Sequence, residues 1–270
     1  MIEVLLVRPP LDLGEAAIGA LLRGEAASER QRIDRLRRRE DRVRSAVAHR
    51  LARSLVAGRL AVPLASVRLA RGAHGRPFVE APPGAGDVSL AHHGPWVAAA
   101  WTPGGRVGVD LVDPREVGPE LAGAFCAAGE QALAAKAPET DVLARLWGLK
   151  EAYLKLRGSG LSVDPRLVAF DMPLWRQGVY RLREAPAEPR FAVRALEDGA
   201  LLAVGWEGRA TRVRVTLVGW QALVAEQAVG APWRRSVRRR PPRPGRRRVG
   251  TRPRRVAASG GHEGGYGAHG

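Results

Sequence analysis

The chain alternates between short strand-like runs of hydrophobic residues and longer stretches with helical periodicity. Helices are predicted in two regions, residues 16–58, with breaks, and residues 119–156, which ends before Gly158. The predicted strands, which are bounded by turns of Gly and Pro, are residues 2–8, 67–70, 77–79, 88–90, 95–101, 107–112, 167–171, 179–182, 191–195 and 200–206. This order predicts a mixed α and β protein whose halves share a helix-then-strands layout, although no sequence repeat is evident.

The later part of the first helical region is amphipathic. Val43, Val47, Leu51 and Leu55 form an apolar stripe, and the arginines are predicted to line the other face of the helix.

Composition narrows the class of protein. Cys126 is the one cysteine in 270 residues, which excludes an internal disulfide and favours a reducing cytoplasm. No apolar run approaches the length of a membrane span, and the N-terminus carries an acid where a signal peptide would carry base. We therefore expect a soluble cytoplasmic protein without a membrane partner. We also expect it to be a monomer.

The net charge of +17 is unevenly distributed. From Arg234 onward the chain has twelve arginines and one acid, Glu263, which leaves +6 for residues 1–233. This arginine, proline and glycine-rich tail, residues 229–270, is predicted to be disordered. It is either an arm for an anionic partner such as nucleic acid, or an appended piece without a role.

Two of the three lysines of the chain, against forty-one arginines, fall within Trp147–Lys155. Lys150 lies in the middle of a predicted helical apolar stripe, where a buried charge needs a partner. A ligand phosphate is one such partner, and the alternative is that Lys150 extends its head past Trp147 into water. Glu151 and Lys155 are spaced as an i, i+4 ion pair, which any solvated helix also allows.

Asp110 is an unusual residue for the otherwise apolar strand Val107–Val112. Pairing with an arginine is the common explanation for such a carboxylate. The sharper hypothesis is a divalent cation, because Asp110, Glu151 and phosphate oxygens would together suit Mg²⁺.

Two further segments carry groups that bind anions. His92 and His93 end a predicted strand, and one of them could donate to a phosphate. Arg76 lies at a turn, where its guanidinium could hold a phosphate or a nucleotide edge.

Read in order, these motifs resemble the surfactin-synthetase-activating type of 4′-phosphopantetheinyl transferase. The matches, over about residues 1–210, are Gly75-Arg76-Pro77, the strand from Ser89 to His93, Gly108-Val109-Asp110, and the complete Trp-x-x-Lys-Glu-Ala-x-x-Lys motif from Trp147 to Lys155. The resemblance implies two similar α+β halves related by a pseudo-twofold axis, with coenzyme A bound in the active site between them. The predicted domains are residues 1–104, residues 105–228 with the catalytic motifs, and the tail.

The resemblance also implies the activity and the roles. The enzyme would move the phosphopantetheine arm of coenzyme A onto a serine of an acyl or peptidyl carrier protein and release 3′,5′-ADP, as a holo-carrier synthase does. Catalysis would fall to Glu151 and Lys155, with Mg²⁺ held by Asp110 and Glu151. Serine would lose its proton to Glu151 directly or through a water. The residues implied to bind coenzyme A are Arg44 at the 3′-phosphate, Arg76 near the adenosine, His92 at a phosphate, Lys150, which would brace the site or contact phosphate, and Lys155. Glu130 matches a further family acid.

The chain departs from the family at three positions. Val112 stands where many relatives carry a second acid on the face of Asp110, and Ala91 and His93 replace serines. A water in the vacant ligand position, or a weaker metal site, would follow from Val112. The rival hypotheses are a nucleic-acid-binding protein acting through its tail, and a catalytically inactive relative that still binds coenzyme A.

Overall fold

The computed structural model describes residues 1–72, 74–135, 141–171, 179–185 and 188–225, all of which belong to one compact unit. The tail predicted to be disordered, residues 229–270, lies outside the described residues. The search for a helix long and apolar enough to cross a membrane found none in the described part of the chain.

The elements follow the predicted alternation closely. The strands are β1 (Ile2–Val7), β2 (Arg68–Arg71), β3 (Pro77–Ala81), β4 (Asp87–His93), β5 (Trp96–Thr102), β6 (Val107–Val112), β7 (Tyr180–Arg181), β8 (Arg190–Ala195), β9 (Leu201–Trp206) and β10 (Val213–Leu217). The α-helices are α1 (Glu15–Leu21), α2 (Ala27–Asp34), α3 (Arg39–Leu60), α4 (Ala122–Phe125), α5 (Ala128–Ala134), α6 (Asp141–Arg157) and α7 (Trp220–Ala225).

The first four-stranded sheet has the order β10-β1-β5-β4 and packs against α3. Strand β5 is buried on both faces, which explains its continuous apolar sequence. Val97, Ala99 and Trp101 face the core under α3, while Trp96, Ala98 and Ala100 face a second core. Because side chains alternate along a strand, one uninterrupted run serves both cores.

The second four-stranded sheet has the order β6-β9-β8-β7 and packs against α6. Its strand β6 also contributes to two cores: Val107, Val109 and Leu111 join the core shared with β1 and β5, and Val112 joins the core under α6. By the same alternation, Gly108 and Asp110 lie on the α6 side with Val112.

Small residues let α6 approach β6 very closely. A Cβ at Gly108 would lie 2.0 Å from the carbonyl oxygen of Ala152, a distance that no side chain can occupy. A Cβ at Gly148 would lie 3.2 Å from both Val112 and Ala203. The glycine of the Gly-Val-Asp motif therefore places the strand aspartate directly beneath the helix that carries Glu151 and Lys155.

Two regions differ from the sequence-based expectations. The strand predicted at residues 167–171 is instead a 3₁₀ turn, Pro165–Leu167, followed by a lone bridge between Phe170 and Leu182. Strand β10 and helix α7 were not predicted, and β10 pairs in parallel with β1 although it lies beyond the predicted domain boundary after residue 104. Each half has a sheet with one long helix; the pseudo-twofold relation between them stays a prediction.

The arginines of α3 also differ from their predicted exposure. Arg53 is only 1% exposed, because its guanidinium donates to the carbonyl oxygens of Val67, Arg23 and Leu64. These carbonyl oxygens solvate the guanidinium charge in place of water. The helical pattern had predicted that this arginine would lie on the face opposite the apolar stripe.

Candidate active site

A cavity of about 410 Å³, here called the central cavity, opens between α3, β4, α6 and the β2–β3 turn. It is strongly basic, and Glu151 is the only carboxylate among the described residues that line it. The cationic and imidazole side chains around it are Arg32, His49, Arg71, His74, Arg76, His92 and Lys155. Such a lining is complementary to a ligand with several negative charges.

Asp110 and Lys155 form an ion pair at the α6 side of the central cavity. The Lys155 Nζ lies 2.7 Å from the Asp110 Oδ1, and the two side chains are 33% and 11% exposed. The partner of the strand aspartate is therefore a lysine from the neighbouring helix and not an arginine. The pair leaves the ammonium group of Lys155 partly open to the cavity.

Glu151 lies one helical turn before Lys155 and shares its environment. Burial, followed by the negative charge of Asp110, raises the pKa of Glu151, and the positive charge of Lys155 offsets part of this effect. The two carboxylates thus repel one another electrostatically. A group that removes this repulsion would be stabilised between them.

The donor set of Asp110 and Glu151 fits a divalent cation. Both groups offer carboxylate oxygens, the ligands that Mg²⁺ prefers, and the lining of the cavity leaves room for water and phosphate oxygens. The side chain of Val112, at the position of the absent second acid, is 4% exposed and packs against Gly148. A metal here would therefore have two protein carboxylates as ligands.

His92 lies on β4 at the cavity wall and remains exposed. Partial desolvation, followed by the positive charges of Lys155 and Arg44, lowers the pKa of His92 to about 4. At neutral pH the imidazole is uncharged and has one N–H to donate. Arg44 itself does not line the central cavity, since it donates to the Gly94 carbonyl oxygen and pairs with Asp41.

Arg76 lines the central cavity, but its guanidinium is already bound. It forms a bidentate pair with Asp87 and donates to the carbonyl oxygens of Lys155 and Val107. Gly158 has a positive φ of 73°, and a Cβ there would lie 2.6 Å from the Arg76 side chain. Arg76 therefore ties β3 and β4 to the end of α6.

Lys150 is fully buried and does not line the central cavity. Its Nζ pairs with the Glu130 Oε2 at 2.7 Å and donates to the carbonyl oxygens of Pro165 and Val168. These partners use all three N–H donors of the ammonium group. The ammonium group therefore has no donor left for water or for a ligand phosphate. Of the two roles that the resemblance implied, bracing the site or contacting phosphate, the geometry fits bracing the site.

The residues that sequence reasoning missed are Arg32, Ser45, His49, Arg71 and His74, all of which line the central cavity. One signal was present for part of this set. Ser45, His49 and Arg53 are spaced at i, i+4 and i+8 on α3, and all three are buried. A polar row on a helix that is otherwise buried indicates a functional or paired face.

Comparison with known proteins agrees with this geometry. Residues 106–210 match the model of the 4′-phosphopantetheinyl transferase superfamily, and residues 17–104 match the model of the 4′-phosphopantetheinyl transferase N-terminal region. The chain belongs to the 4′-phosphopantetheinyl transferase superfamily, and its similarity to the relatives below supports the surfactin-synthetase-activating type.

Two named relatives illustrate the similarity. The chain is 32% identical to the phosphopantetheinyl transferase of Thraustochytrium sp., covering 60% of this chain and 62% of the relative. It is 28% identical to the 4′-phosphopantetheinyl transferase Sfp of Bacillus subtilis, covering 56% and 66%. The matches thus span slightly less than two thirds of these relatives. A solved holo-[acyl-carrier-protein] synthase of Thermotoga maritima aligns with a TM-score of 0.33 and 21% identity, covering 38% of this chain and 64% of that one.

Proposed function

We propose that this protein transfers the 4′-phosphopantetheine group of coenzyme A to a serine of an apo acyl or peptidyl carrier protein, with release of 3′,5′-ADP and dependence on Mg²⁺. The observation that carries the proposal is the meeting of Glu151, Lys155 and His92 at a basic cavity that the family motifs line, with Asp110 paired to Lys155 beside it. The family membership supplies the reaction class, and the cavity charge supplies the reason that a nucleotide diphosphate would bind.

The basic lining accounts for ligand binding. Lys155 can meet a diphosphate oxygen while it remains paired with Asp110, because its ammonium group has three donors. His92 offers a neutral N–H to a second oxygen. Arg32 and Arg71, which also line the cavity, supply permanent charge, which suits another phosphate of the same ligand.

The reaction needs little covalent work from the protein. The serine oxygen attacks the phosphorus that bears pantetheine, the new P–O bond forms, and the bond to the bridging oxygen of 3′,5′-ADP breaks. Positioning and charge neutralisation dominate such a transfer. Lys155 would neutralise the charge that grows on the bridging oxygen.

Glu151 is the proposed base for the serine proton. In the metal-free protein, burial, followed by the charge of Asp110, raises the pKa of Glu151. A bound Mg²⁺, held by Asp110 and Glu151, would polarise the diphosphate. Glu151 then receives the proton directly or through a water.

Arg44, Arg76 and Lys150 take supporting roles in this proposal. Arg76 and Lys150 are bound by protein groups and would hold the walls of the cavity in place. Arg44 would act on the ligand through its charge near His92. Its predicted contact with the 3′-phosphate is reassigned, as a proposal, to Arg32 and Arg71.

The decisive test is to incubate the full chain with coenzyme A, Mg²⁺ and several apo carrier proteins and then to weigh the carriers. The expected result is a mass gain of one phosphopantetheine group on the carrier serine. The residues 1–233 carry a net charge of +6, which suits an acidic carrier surface. Coenzyme A binding without any mass gain would identify the inactive relative that Val112 suggests, and no binding would contradict the proposal.

A further inference from the structure

A buried network of charged side chains lies behind the Arg71 end of the central cavity. His49, on α3, is 2% exposed, and each of its ring nitrogens faces a different carboxylate. The Nε2 lies 3.0 Å from the Glu29 Oε1, and the Nδ1 lies 3.4 Å from the Glu25 Oε1. Glu25 and Glu29 are themselves only 4% and 6% exposed.

Glu29 connects this histidine to the two arginines of the cavity. Arg71 donates to both carboxylate oxygens of Glu29, at 2.9 and 3.0 Å, and Arg32 donates to Oε1 at 2.7 Å. Both arginines line the central cavity, whereas Glu29 does not. The orientation of one buried carboxylate therefore fixes where two guanidinium groups meet a ligand.

The two carboxylates favour a protonated histidine. A carboxylate accepts hydrogen bonds and donates none, so the Nε2 must carry hydrogen to donate to Glu29, while the charge of Glu25 favours a hydrogen on the Nδ1, which makes no well-aligned hydrogen bond. The oxygens of Glu25 accept no well-aligned hydrogen bond, and the cationic atoms nearest to its Oε1 are the His49 Nδ1 at 3.4 Å and the Arg53 Nη1 at 3.5 Å. Burial lowers the pKa of His49, but the hydrogen bonds and charges of Glu25 and Glu29 outweigh burial and raise it overall.

We propose that His49, as the imidazolium, is a positioning residue that holds Glu29 and thereby presents Arg71 and Arg32 to the anionic groups of coenzyme A. The inference rests on the proposed function. It predicts a coenzyme A affinity that depends on pH through a residue that need not touch the ligand.

The charges that face His49 come from every element packed around it. They are Glu25 from the α1–α2 connection, Glu29 and, through it, Arg32 from α2, Arg71 from β2, and Arg53 from α3 itself. When His49 loses its proton, one ring nitrogen becomes an acceptor that faces a carboxylate. The Arg71 Nη2, 3.4 Å from Nε2, then becomes a competing donor to the ring, and Glu29 is held by Arg71 and Arg32 without its third partner, His49.

The sign of the pH dependence follows from the raised pKa. The ordered network is complete below the usual histidine pKa of about 6.5 and is lost as pH rises through the higher value of the folded protein. Coenzyme A affinity should fall over the same interval, while kcat at saturating coenzyme A should change little.

The test measures the Kd of coenzyme A by calorimetry, together with KM and kcat, from pH 6 to 9 for three proteins: wild type, His49→Gln and Glu25→Gln. The wild-type Kd should rise about tenfold, as expected for weakened charged hydrogen bonds. His49→Gln, which can still form hydrogen bonds but carries no charge, should bind about tenfold more weakly at pH 6. Its remaining pH dependence should be only that of the ligand phosphate.

Glu25→Gln is the sharper variant, because Glu25 contacts neither cavity arginine. It should keep wild-type affinity at pH 6 and move the midpoint of the Kd profile to lower pH. A purely structural role for His49 would not move that midpoint. The comparison holds even if His49→Gln fails to fold.

The outcomes separate the two proposals. A wild-type protein that does not bind coenzyme A at any pH contradicts the proposed function. If the wild-type protein binds coenzyme A but its Kd changes with pH as it does in Glu25→Gln or in His49→Gln, the positioning role of His49 is overturned. The proposed function is not affected by that outcome.

Discussion

The α6 wall of the central cavity, with strand β6 beneath it, and the wall formed by α2, α3 and β2 place their charged groups in different ways. On the first wall, Glu151 and Lys155 are one helical turn apart, and Asp110 lies beneath them on a strand that Gly108 allows to approach. On the second wall, Arg32 and Arg71 come from separate elements and are aligned by the buried Glu29.

This difference teaches how each wall depends on the rest of the protein. On the α6 wall, Glu151 and Lys155 are spaced by a single helix and should keep their relative positions when distant residues change, whereas Asp110 depends on the close packing of β6 against α6. The α2–α3–β2 wall is set by a network of ion pairs among buried groups, so its cationic groups depend on every member of that network. We expect variants of the first wall to change the chemical step and variants of the second to change binding.

The largest effect is expected on the α6 wall. Glu151→Ala should abolish transfer, and Lys155→Ala should lower kcat by roughly 100- to 1000-fold, because a positioned charge that stabilises a transition state is lost. Carrier mass and single-turnover rates measure both. Arg157→Ala is the matched control, since it lies on the same helix and pairs with Glu207 outside the cavity. Full rates in the Glu151 or Lys155 variant would remove that residue from its proposed role.

The next effect is expected on stability and tests the bracing role of Lys150. Lys150→Met should lower the free energy of unfolding by about 3–5 kcal/mol, because it leaves Glu130 buried without its cation. Urea unfolding measures the loss. The double variant with Glu130→Leu should recover part of it, because the unpaired buried charge is removed while the N–H groups of Ala127 and Phe170 lose their acceptor. An unchanged stability with a raised KM for coenzyme A would instead support contact with a phosphate.

A smaller effect is expected on the second wall. Arg71→Ala should raise the KM for coenzyme A roughly 10- to 100-fold, the value of a lost charge-assisted contact, with kcat changed little. Arg68→Ala is the control from the same strand, because Arg68 pairs with Glu80 on the surface and does not line the cavity. If kcat falls by as large a factor as KM rises, the second wall contributes to the chemical step as well as to binding, and the proposed division between the two walls is wrong.

The same difference explains what the sequence could and could not predict. Strand β6 and helix α6 follow from periodicity, and the family resemblance implied that Asp110 and Glu151 would lie together. The ion pair of Asp110 with Lys155 was not predicted. The partners of Lys150 could not be predicted in this way, because Glu130 lies on another helix and the accepting carbonyl groups lie 15 and 18 residues after Lys150 in the chain. The burial of Arg53 and the fixed guanidinium of Arg76 likewise depend on contacts between distant segments.

Strand β10 shows the same limit at the level of the fold. Its sequence, Val213–Leu217, has only the weak alternation of a half-exposed edge strand. It becomes a strand because β1 offers a free edge more than two hundred residues earlier in the chain. Pairing over such a separation is decided by the folded sheet and leaves little signal in the local sequence.

The smallest expected effect is on the free energy of unfolding, which the ionised Glu151 lowers. The pKa of Glu151 is raised in the folded protein, so the unfolded chain loses this proton first as pH rises, and ionisation then favours unfolding. In metal-free buffer, Glu151→Gln should therefore stabilise the protein by roughly 1 kcal/mol at pH 7, a rise of about 2–4 °C in Tm, and by almost nothing at pH 4.

Thermal unfolding at the two pH values measures this difference, and Glu184→Gln, at an exposed position, serves as the matched control. Adding Mg²⁺ with coenzyme A should reverse the order of stability, because the ligands stabilise only a protein that can bind them. A glutamine variant that is less stable than wild type in metal-free buffer at pH 7 would show that Asp110 and Glu151 do not repel one another. The case for a shared cation would then lose its electrostatic basis.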